Sequence, residues 1–265
     1  MTLDLCRVVA SLLFCNRSVK PQEARRPKPN YSMSLIIAID GPSGSGKSTL
    51  GRMLAYALKL LYIDTGSMYR AVALAVIESK LDPNDEKAVV ALAERLEINL
   101  EGDPQSLKTL IGTRDVSELI RTERVTEMAS VVSTIPGVRR AMVVRQRELG
   151  KRGGVLNGRD ITTVVFPDAD YKFFLDANPR ERAQRRYLED QQKNSTTTLE
   201  ETLADMTERD RRDMTRHDSP LKIASDAIVI DSTGKSIEQV FEEMMSKIKV
   251  EPGFENCKGA THEVK

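Results

Sequence analysis

Residues 41–49 combine glycines, a lysine and hydroxyl side chains at a spacing that suits the binding of a polyphosphate. The segment matches the pattern G-x-x-x-x-G-K-[ST], and it reads Gly41, Pro42, Ser43, Gly44, Ser45, Gly46, Lys47, Ser48 and Thr49. Its glycines let the main chain curl so that N–H groups point at phosphate oxygens. Lys47 adds a positive charge for the β- and γ-phosphates, and Ser48 offers a hydroxyl to Mg²⁺. We therefore predict a nucleotide-binding loop with a magnesium ligand at Ser48.

The residues on either side of this loop predict the elements that position it. Residues 35–39 are apolar, as in a buried strand, and residues 47–58 place apolar side chains on one stripe of a helix. The positive end of that helix dipole would face the phosphates. A strand entering the loop and a helix leaving it favour a bound nucleotide over a glycine-rich turn without a ligand.

Arginines form a second set of residues that could do chemistry. Arg70 and Arg159 each follow a glycine turn after a predicted strand, at the edge of the sheet where ligands of open α/β folds bind. A kinase for small phosphorylated molecules needs such arginines, because its two substrates repel each other and must be held in line. An ordinary solvated helix face is an equal alternative for residues 180–186. Further arginines follow in the second half of the chain: Arg182, Arg185, Arg186, Arg209, Arg211, Arg212 and Arg216.

Two other classes of nucleotide-binding protein were weighed against a kinase. A GTPase needs a D-x-x-G segment mid-chain and a later N-K-x-D to bind guanine. Residues 231–234 match the first pattern, but they follow the last predicted strand and the chain contains no N-K-x-D. The loop alone does not distinguish a motor ATPase from a kinase. The arginines at the ends of predicted strands and in residues 182–216 favour the kinase.

Predicted strands alternate with predicted helices along the chain. Strands are expected at 35–39, 61–63, 154–157, 171–176 and 227–231, and 97–100 with 107–112 reads as a hairpin. Helices are expected at 47–58, 67–79, 180–192, 198–214 and 236–250, and over 116–151 with a break at Pro136-Gly137. A further helix is expected to begin at Asp82, as cap, and Pro83, as first residue. This alternation predicts an α/β fold with a parallel sheet and right-handed crossovers.

Composition sets limits on the class of protein. The chain has 265 residues, 40% hydrophobic and 30% charged, which is typical of a soluble globular protein. A net charge of +1 favours neither a nucleic-acid nor a membrane partner, and no apolar run approaches the ~18 residues of a membrane span. Three cysteines, Cys6, Cys15 and Cys257, lack metal-ligand spacing and suit a reducing cytoplasm.

The two ends of the chain differ from the rest. Residues 1–32 could be a poor signal peptide, a poor organelle transit segment or an extension that plays no part in the fold. We favour a poorly ordered extension, because Met33 stands just before the first strand and could start translation. Residues 251–265 are expected to form a flexible tail.

Six ordered segments resemble the bacterial cytidylate kinases, a branch of the nucleoside monophosphate kinases. They are residues 39–49, 64–74, 115–125, 157–170, 174–177 and 209–216, followed by a closing Asp-Ser-Thr at 231–233. The resemblance covers roughly residues 35–250 and implies a P-loop NTPase fold, in which a parallel sheet is flanked by helices in three layers. It divides a 33–250 domain into a core (33–64, 152–176 and 225–250), a monophosphate-binding insertion of about 65–150 and a lid of about 180–216.

The resemblance also implies roles for individual residues. Arg70 and Arg159 would grip the monophosphate of CMP, and Asp160 with Arg139 would present an acceptor beside a cation to cytosine. Arg182 and Arg186 would be mobile lid arginines that fold over ATP, so that Lys47, Arg159, Arg182 and Arg186 form the catalytic set. Other residues implied for CMP binding are Thr65 and Ser130 beside the base, Arg209 and Asp213 at the sugar, and Arg216 closing the site.

The implied activity is phosphorylation of CMP and dCMP by ATP, with Mg²⁺ as cofactor, in a cytoplasmic enzyme that is monomeric like its kin. Two alternatives stay open at this point. A UMP/CMP kinase is one, although uracil O4 would meet the Asp160 carboxylate as acceptor against acceptor. The other is an RNA-binding protein that uses its arginine-rich 180–216 segment and carries a vestigial loop, against which stands an aromatic content of only 5%.

Overall fold

The computed structural model of the protein describes residues 35–192 and 196–249. The predicted N-terminal extension, C-terminal tail and all three cysteines lie outside these residues. A five-stranded, fully parallel sheet has the order β2-β6-β1-β7-β8. Its strands are β1 Ile36–Asp40, β2 Tyr62–Asp64, β6 Gly154–Asn157, β7 Tyr171–Asp176 and β8 Ile228–Asp231. The predicted parallel sheet is confirmed, and no predicted strand is displaced by more than one residue.

Eight α-helices connect these strands within the described residues. They are α1 Lys47–Ala57, α2 Thr65–Glu78, α3 Glu86–Arg95, α4 Glu123–Val132, α5 Pro136–Gly150, α6 Pro179–Gln191, α7 Leu199–Thr215 and α8 Ile237–Lys247. A short 3-10 helix at Leu119–Arg121 precedes α4, and a single π-helical turn at Ile161–Val165 follows β6.

Alternating side chains of β1 show why the sheet is covered on both faces. Ile37 and Ile39 join one buried cluster with apolar residues of α1 and α8, such as Leu54 and Met244. Ala38 points the other way and packs in a second cluster with the turn at 161–165, against which part of α5 lies. Helix, sheet and helix therefore form the three layers of the predicted α/β fold.

Residues 65–150 build a third buried cluster of their own. Helices α2, α3, α4 and α5 contribute most of its side chains. A small antiparallel sheet borders it, formed by β3 Ile98–Glu101, β4 Lys108–Ile111 and β5 Arg114–Asp115. The predicted hairpin is confirmed as β3 and β4, whereas two-residue β5 is too short to show an alternating pattern in the sequence. The structure shows the elements of this insertion and of residues 180–192 and 196–216. Their roles in monophosphate binding and as a lid stay predictions.

Local sequence signals predicted the first residues of most helices, but not of α3. Asn178, Thr198 and Ser236 cap α6, α7 and α8 with their side chains, and Pro136 is the first residue of α5. The expected start of α3 at Asp82 and Pro83 is wrong. Asp85 caps this helix, and Asp82 instead accepts a hydrogen bond from the main-chain N–H of Asn84 at 2.9 Å. An aspartate two residues before an amide readily forms such a turn, which here competes with the cap.

None of the helices in residues 35–192 and 196–249 has both the length and the apolar character that a membrane span requires.

Candidate active site

A cavity of about 520 Å³ opens where the parallel strands end. Residues that follow β1, β2, β6 and β8 reach it, as expected for the carboxyl edge of an open α/β sheet. Its wall is rich in guanidinium groups, contributed by Arg52, Arg70, Arg121, Arg139, Arg159, Arg185, Arg186, Arg209 and Arg216. So many positive charges around one cavity indicate an anionic ligand with several phosphate groups.

The nucleotide-binding loop lies on one side of this cavity, between β1 and α1. Gly41 and Gly44 have φ of +148° and +71°, in a region that side chains disfavour. A Cβ on Gly41 would lie 2.1 Å from the carbonyl oxygen of Leu175, and one on Gly44 would lie 2.9 Å from that of Arg182. The loop can therefore keep this close-packed curve only with glycine at both positions. Ser43 to Thr49 line the cavity, whereas Gly41 and Pro42 shape the loop from behind.

Lys47 is buried and has no carboxylate within ion-pairing distance among the described residues. Its Nζ donates hydrogen bonds to the carbonyl oxygen of Pro42 at 2.5 Å and to Ser45 Oγ at 3.2 Å. Burial, helped by the positive charge of Arg159, holds the pKa of the Lys47 ammonium well below its usual value. A phosphate oxygen beside Nζ would relieve this unfavourable environment, so the site favours an anion there.

Four arginine–carboxylate pairs build the opposite side. Arg139 donates to Asp160 at 2.5 Å, and both side chains are buried. The carboxylate of Asp213 binds two guanidinium groups, with N–O distances of 2.8 Å to Arg159 and 3.0 Å to Arg216. The fourth pair joins Arg70 to Asp64 at 3.2 Å. These carboxylates come from separate elements and hold the guanidinium groups in place before any ligand binds.

The electrostatics of this side follow from crowded positive charge. Burial would raise the pKa of Asp213, but Arg159 and Arg216 outweigh it, so its pKa is lowered and it stays ionised. Burial, together with Arg159, lowers the pKa of Arg209 to about 10. At neutral pH Arg209 is therefore still charged. Three buried donors, Arg70 Nε, Arg139 Nε and Arg216 Nη2, have no partner in the described part of the chain, which leaves them available to a substrate.

Most of the residues predicted for substrate binding reach this cavity. Those on the acceptor side are Thr65, Arg70, Arg139, Arg159, Asp160, Arg209, Asp213 and Arg216, and Arg186 reaches it from α6. Thr65 donates its hydroxyl to the main-chain carbonyl of Asn157 at 2.7 Å. Ser130 differs from the prediction: it is buried on α4 and is not part of the cavity wall, whereas Ser133, almost one helical turn further along, is.

Arg182 is the other departure from the sequence-based prediction. Its side chain is 8% exposed and lies behind the nucleotide-binding loop, outside the cavity wall. It donates to the carbonyl oxygens of Ala177 and Ser43 and pairs with Asp210 at 2.6 Å. Asp210 in turn accepts the N–H of Ser43 at 2.9 Å. Arg182 is thus a buried structural residue here, because the cap at Asn178 sets a helical phase that points it inward.

Sequence reasoning did not assign several residues that the structure brings to the site. Arg185 and Arg121 line the cavity, and so does Asn157 at the end of β6. Asp40 is fully buried at the end of β1 and accepts hydrogen bonds from the main-chain N–H groups of Ile161 and Thr162. For Asp40 and Asn157 a signal was present, since both end neighbouring strands beside the loop. Arg121 had one too, because it lies in the segment 115–125 that carries the family resemblance.

Comparison with known proteins agrees with this geometry. A sequence model of the family described as cytidylate kinase matches residues 37–250. Proteins named cytidylate kinase from Citrifermentans bemidjiense and Clostridioides difficile are 48% and 47% identical to the chain over 216 and 218 residues. These matches span 81% and 82% of this chain and 93% and 99% of the relatives. A third, from Syntrophotalea carbinolica, is 49% identical over 215 residues, 81% of this chain and 92% of its own. The chain belongs to the cytidylate kinase family.

Proposed function

We propose that this protein transfers the γ-phosphoryl group of ATP to CMP and dCMP, giving CDP or dCDP and ADP. The observation that carries the proposal is that two anion-binding sites open onto one cavity. One is the loop at 41–49, and the other is the set of paired arginines across from it. The name of the relatives, cytidylate kinase, supports cytosine as the nucleobase of the acceptor. The cavity supports the binding of two phosphorylated substrates side by side.

The buried pair of Asp160 and Arg139 supports cytosine as the base. Cytosine presents an amino donor next to the acceptors N3 and O2, so a carboxylate beside a guanidinium complements its edge. Asp160 is held 2.5 Å from Arg139 with both side chains excluded from solvent. Uracil would bring O4 against the Asp160 carboxylate, which leaves two buried acceptors facing each other. UMP is therefore expected to be the poorer substrate.

Phosphoryl transfer in this site needs no general base. An oxygen of the CMP phosphate is already ionised at neutral pH and attacks the γ-phosphorus, while the bond to the bridging oxygen of ADP breaks. Arg70 and Arg159 would hold the acceptor phosphate in line, and Lys47 would leave Pro42 O to bind the phosphate that moves. Positive charge placed before the reaction stabilises the developing negative charge without reorganisation.

The residues beside Lys47 fit a magnesium ion. Ser48 presents its hydroxyl to the cavity, and Asn157 next to it has a buried Oδ1 with no partner within the described residues. No group of three histidine, cysteine or carboxylate side chains in those residues could hold the ion alone. Ser48 and the phosphates of ATP would therefore hold it together. When bound, Mg²⁺ would neutralise charge on the β- and γ-phosphates.

Residues of α6 and α7 would complete the site as a lid. Arg185 and Arg186 reach the cavity from α6, and Arg209 and Asp213 reach it from α7. Closing these helices over ATP would exclude water and so suppress hydrolysis. A monomeric state and a cytoplasmic location belong to the same proposal and rest on the family resemblance and the sequence.

One coupled assay tests the function. With ATP and Mg²⁺, the panel CMP, dCMP, UMP and AMP should give the highest kcat/KM for CMP and dCMP. Equal values for CMP and UMP would replace the assignment with a UMP/CMP kinase. A protein that binds ATP but phosphorylates none of the four would refute the proposal, and RNA affinity with a steep salt dependence would then favour the binding protein.

A further inference from the structure

Asn157 lies beside the nucleotide-binding loop in a position that the proposed reaction leaves unused. It is the last residue of β6, and its neighbours in register are Asp64 on β2 and Ile39 on β1. Its carbonyl oxygen accepts from Thr65 Oγ1, and the next N–H, that of Gly158, donates to Ile39. The backbone is therefore fixed from both sides. The residue is only 4% exposed, and that surface faces the cavity.

The side-chain amide of Asn157 has a hydrogen-bond partner for its nitrogen but none for its oxygen within the described residues. Its Nδ2 donates to Ser48 Oγ at 3.1 Å, which fixes the hydroxyl that P-loop proteins offer to Mg²⁺. Its Oδ1 is buried and has no hydrogen-bond partner in residues 35–192 and 196–249. A buried acceptor without a partner is unfavourable and indicates a missing donor, such as an ordered water.

The carboxylate in register with Asn157 on β2, that of Asp64, already has partners. Asp64 caps α2 by accepting from the N–H of Ser67 at 3.3 Å and pairs with Arg70 at 3.2 Å. Other P-loop proteins hold their Mg²⁺ with the loop hydroxyl and an aspartate. In this chain the strand-end side chain that donates to Ser48 Oγ is a neutral amide.

We propose that Asn157 is a positioning residue for the metal, which rests on the proposed use of ATP with Mg²⁺. Its Oδ1 accepts a hydrogen bond from the water shell of the ion, and its Nδ2 orients Ser48. Partners of this kind tune metal affinity through the groups they hold. Because the amide is neutral, the protein adds little charge to the metal site. The affinity for Mg²⁺ then depends mainly on the phosphates of the nucleotide.

The test compares nucleotide binding with and without metal, so it needs no turnover. Calorimetry on the full chain gives Kd for a non-hydrolysable ATP analogue in EDTA and in Mg²⁺. The ratio of the two values measures the coupling between metal and nucleotide. Asn157→Asp should raise this ratio roughly tenfold, and Asn157→Ser, which is too short to span Ser48 and the ion, should lower it by a similar factor. Thr126→Asp, which adds a carboxylate to the cavity from α4, should leave the ratio unchanged.

Each outcome bears on the proposal. Equal shifts of both Kd values in the two Asn157 variants, with an unchanged ratio, would show a merely structural residue and overturn it. A Thr126→Asp ratio that rises as far as that of Asn157→Asp would also overturn it, because any carboxylate in the cavity would then suffice. If Asn157→Asp does not fold, as judged by thermal melting, Asn157→Ser carries the test. Failure of the CMP assay would leave these ratios measurable, so the two proposals fail separately.

Discussion

The two sides of the cavity would bind anions by different means. On the ATP side the loop at 41–49 offers main-chain N–H groups and one lysine, and its shape depends on glycines that admit no Cβ. On the acceptor side guanidinium groups from α2, α5, α7 and the turn after β6 are held by carboxylates. A main-chain site binds any polyphosphate, whereas a side-chain site can be shaped for one base.

This difference predicts where substitutions act. Changes on the ATP side should affect catalysis for every acceptor, because the donor phosphates are common to all of them. Changes among the paired arginines should affect one acceptor more than another, or else the fold, because each pair leaves a buried charge when one member is lost. Four experiments test this difference.

The largest effect is expected for Lys47→Ala. Loss of its charge at the γ-phosphate should lower kcat at least about 1,000-fold, with CMP and dCMP affected alike. Thermal melting should show a stable fold, because Lys47 forms no ion pair with the described residues and burial of its ammonium is unfavourable. Lys47→Arg is the matched control that keeps the charge without fitting between Pro42 and Ser45. A kcat within a few fold of wild type would remove Lys47 from the mechanism.

Arg182→Met and Arg186→Met separate two arginines that the sequence treated alike. Arg182→Met should lower the free energy of unfolding by about 3 kcal/mol, because it leaves Asp210 buried without its partner. Arg186 is 36% exposed and lines the cavity, so Arg186→Met should keep its stability and lower kcat about 100-fold. Urea unfolding and steady-state kinetics measure both. The reverse pattern would return Arg182 to the lid role that the resemblance implied.

Asp160→Asn tests whether the acceptor side selects the base. We expect kcat/KM for CMP to fall about 100-fold and that for UMP to fall less, since the amide can donate to uracil O4. Asp218→Asn is the control: Asp218 is paired with Arg140 at 3.9 Å and does not line the cavity. Equal losses for CMP and UMP would show that Asp160 acts only through stability.

The smallest effect, on stability, is expected for Asp40→Asn. Asp40 ends the strand that leads into the loop and accepts hydrogen bonds from the turn after β6. The new amide matches fewer of the N–H donors of Ile161 and Thr162, so stability at pH 7 should fall by about 1 kcal/mol. Burial, opposed by the Thr162 hydrogen bonds, raises the pKa of Asp40 from 3.8 to about 6. The folded protein therefore holds this proton more tightly than the unfolded chain.

The pH dependence follows from that sign. Stability contributed by protonated Asp40 is fully present below the unfolded value near 3.8 and is lost as the pH rises through about 6. The difference in unfolding free energy between wild type and Asp40→Asn should change across this window and stay constant above it. A difference that is flat from pH 4 to pH 7 would contradict the raised pKa.

The sequence predicted the ATP side better than the acceptor side for a physical reason. Nine consecutive residues carry the loop, and their backbone conformation follows from their own glycines and from the strand and helix that flank them. The parallel sheet was likewise predictable, because β1, β6 and β7 contain short apolar runs, at residues 36–39, 155–156 and 173–175, that are followed by turn residues.

The acceptor side depends on contacts between distant residues. Two of the four pairs join residues 21 and 54 positions apart, and no local pattern shows that Asp213 will hold Arg159. The resemblance indicated most of these residues, but it could not show which way each side chain points. In the structure Ser130 and Arg182 lie outside the cavity wall, so their proposed roles stay predictions. The sequence assigned no role to Asn157 or Asp40.

The hydrogen bonds that hold the main chain of Ser43 limit the transfer of this loop to other proteins. Its N–H is bound by Asp210 and its carbonyl by Arg182, so two helices more than a hundred residues downstream complete the curve that the glycines begin. A nine-residue motif grafted alone onto another scaffold would keep its flexible glycines but lose the contacts of Ser43 with Asp210 and Arg182 that fix their conformation. In hydrogen exchange, the Ser43 amide should stay protected while α6 and α7 keep these contacts, so its exchange rate would report opening of the proposed lid.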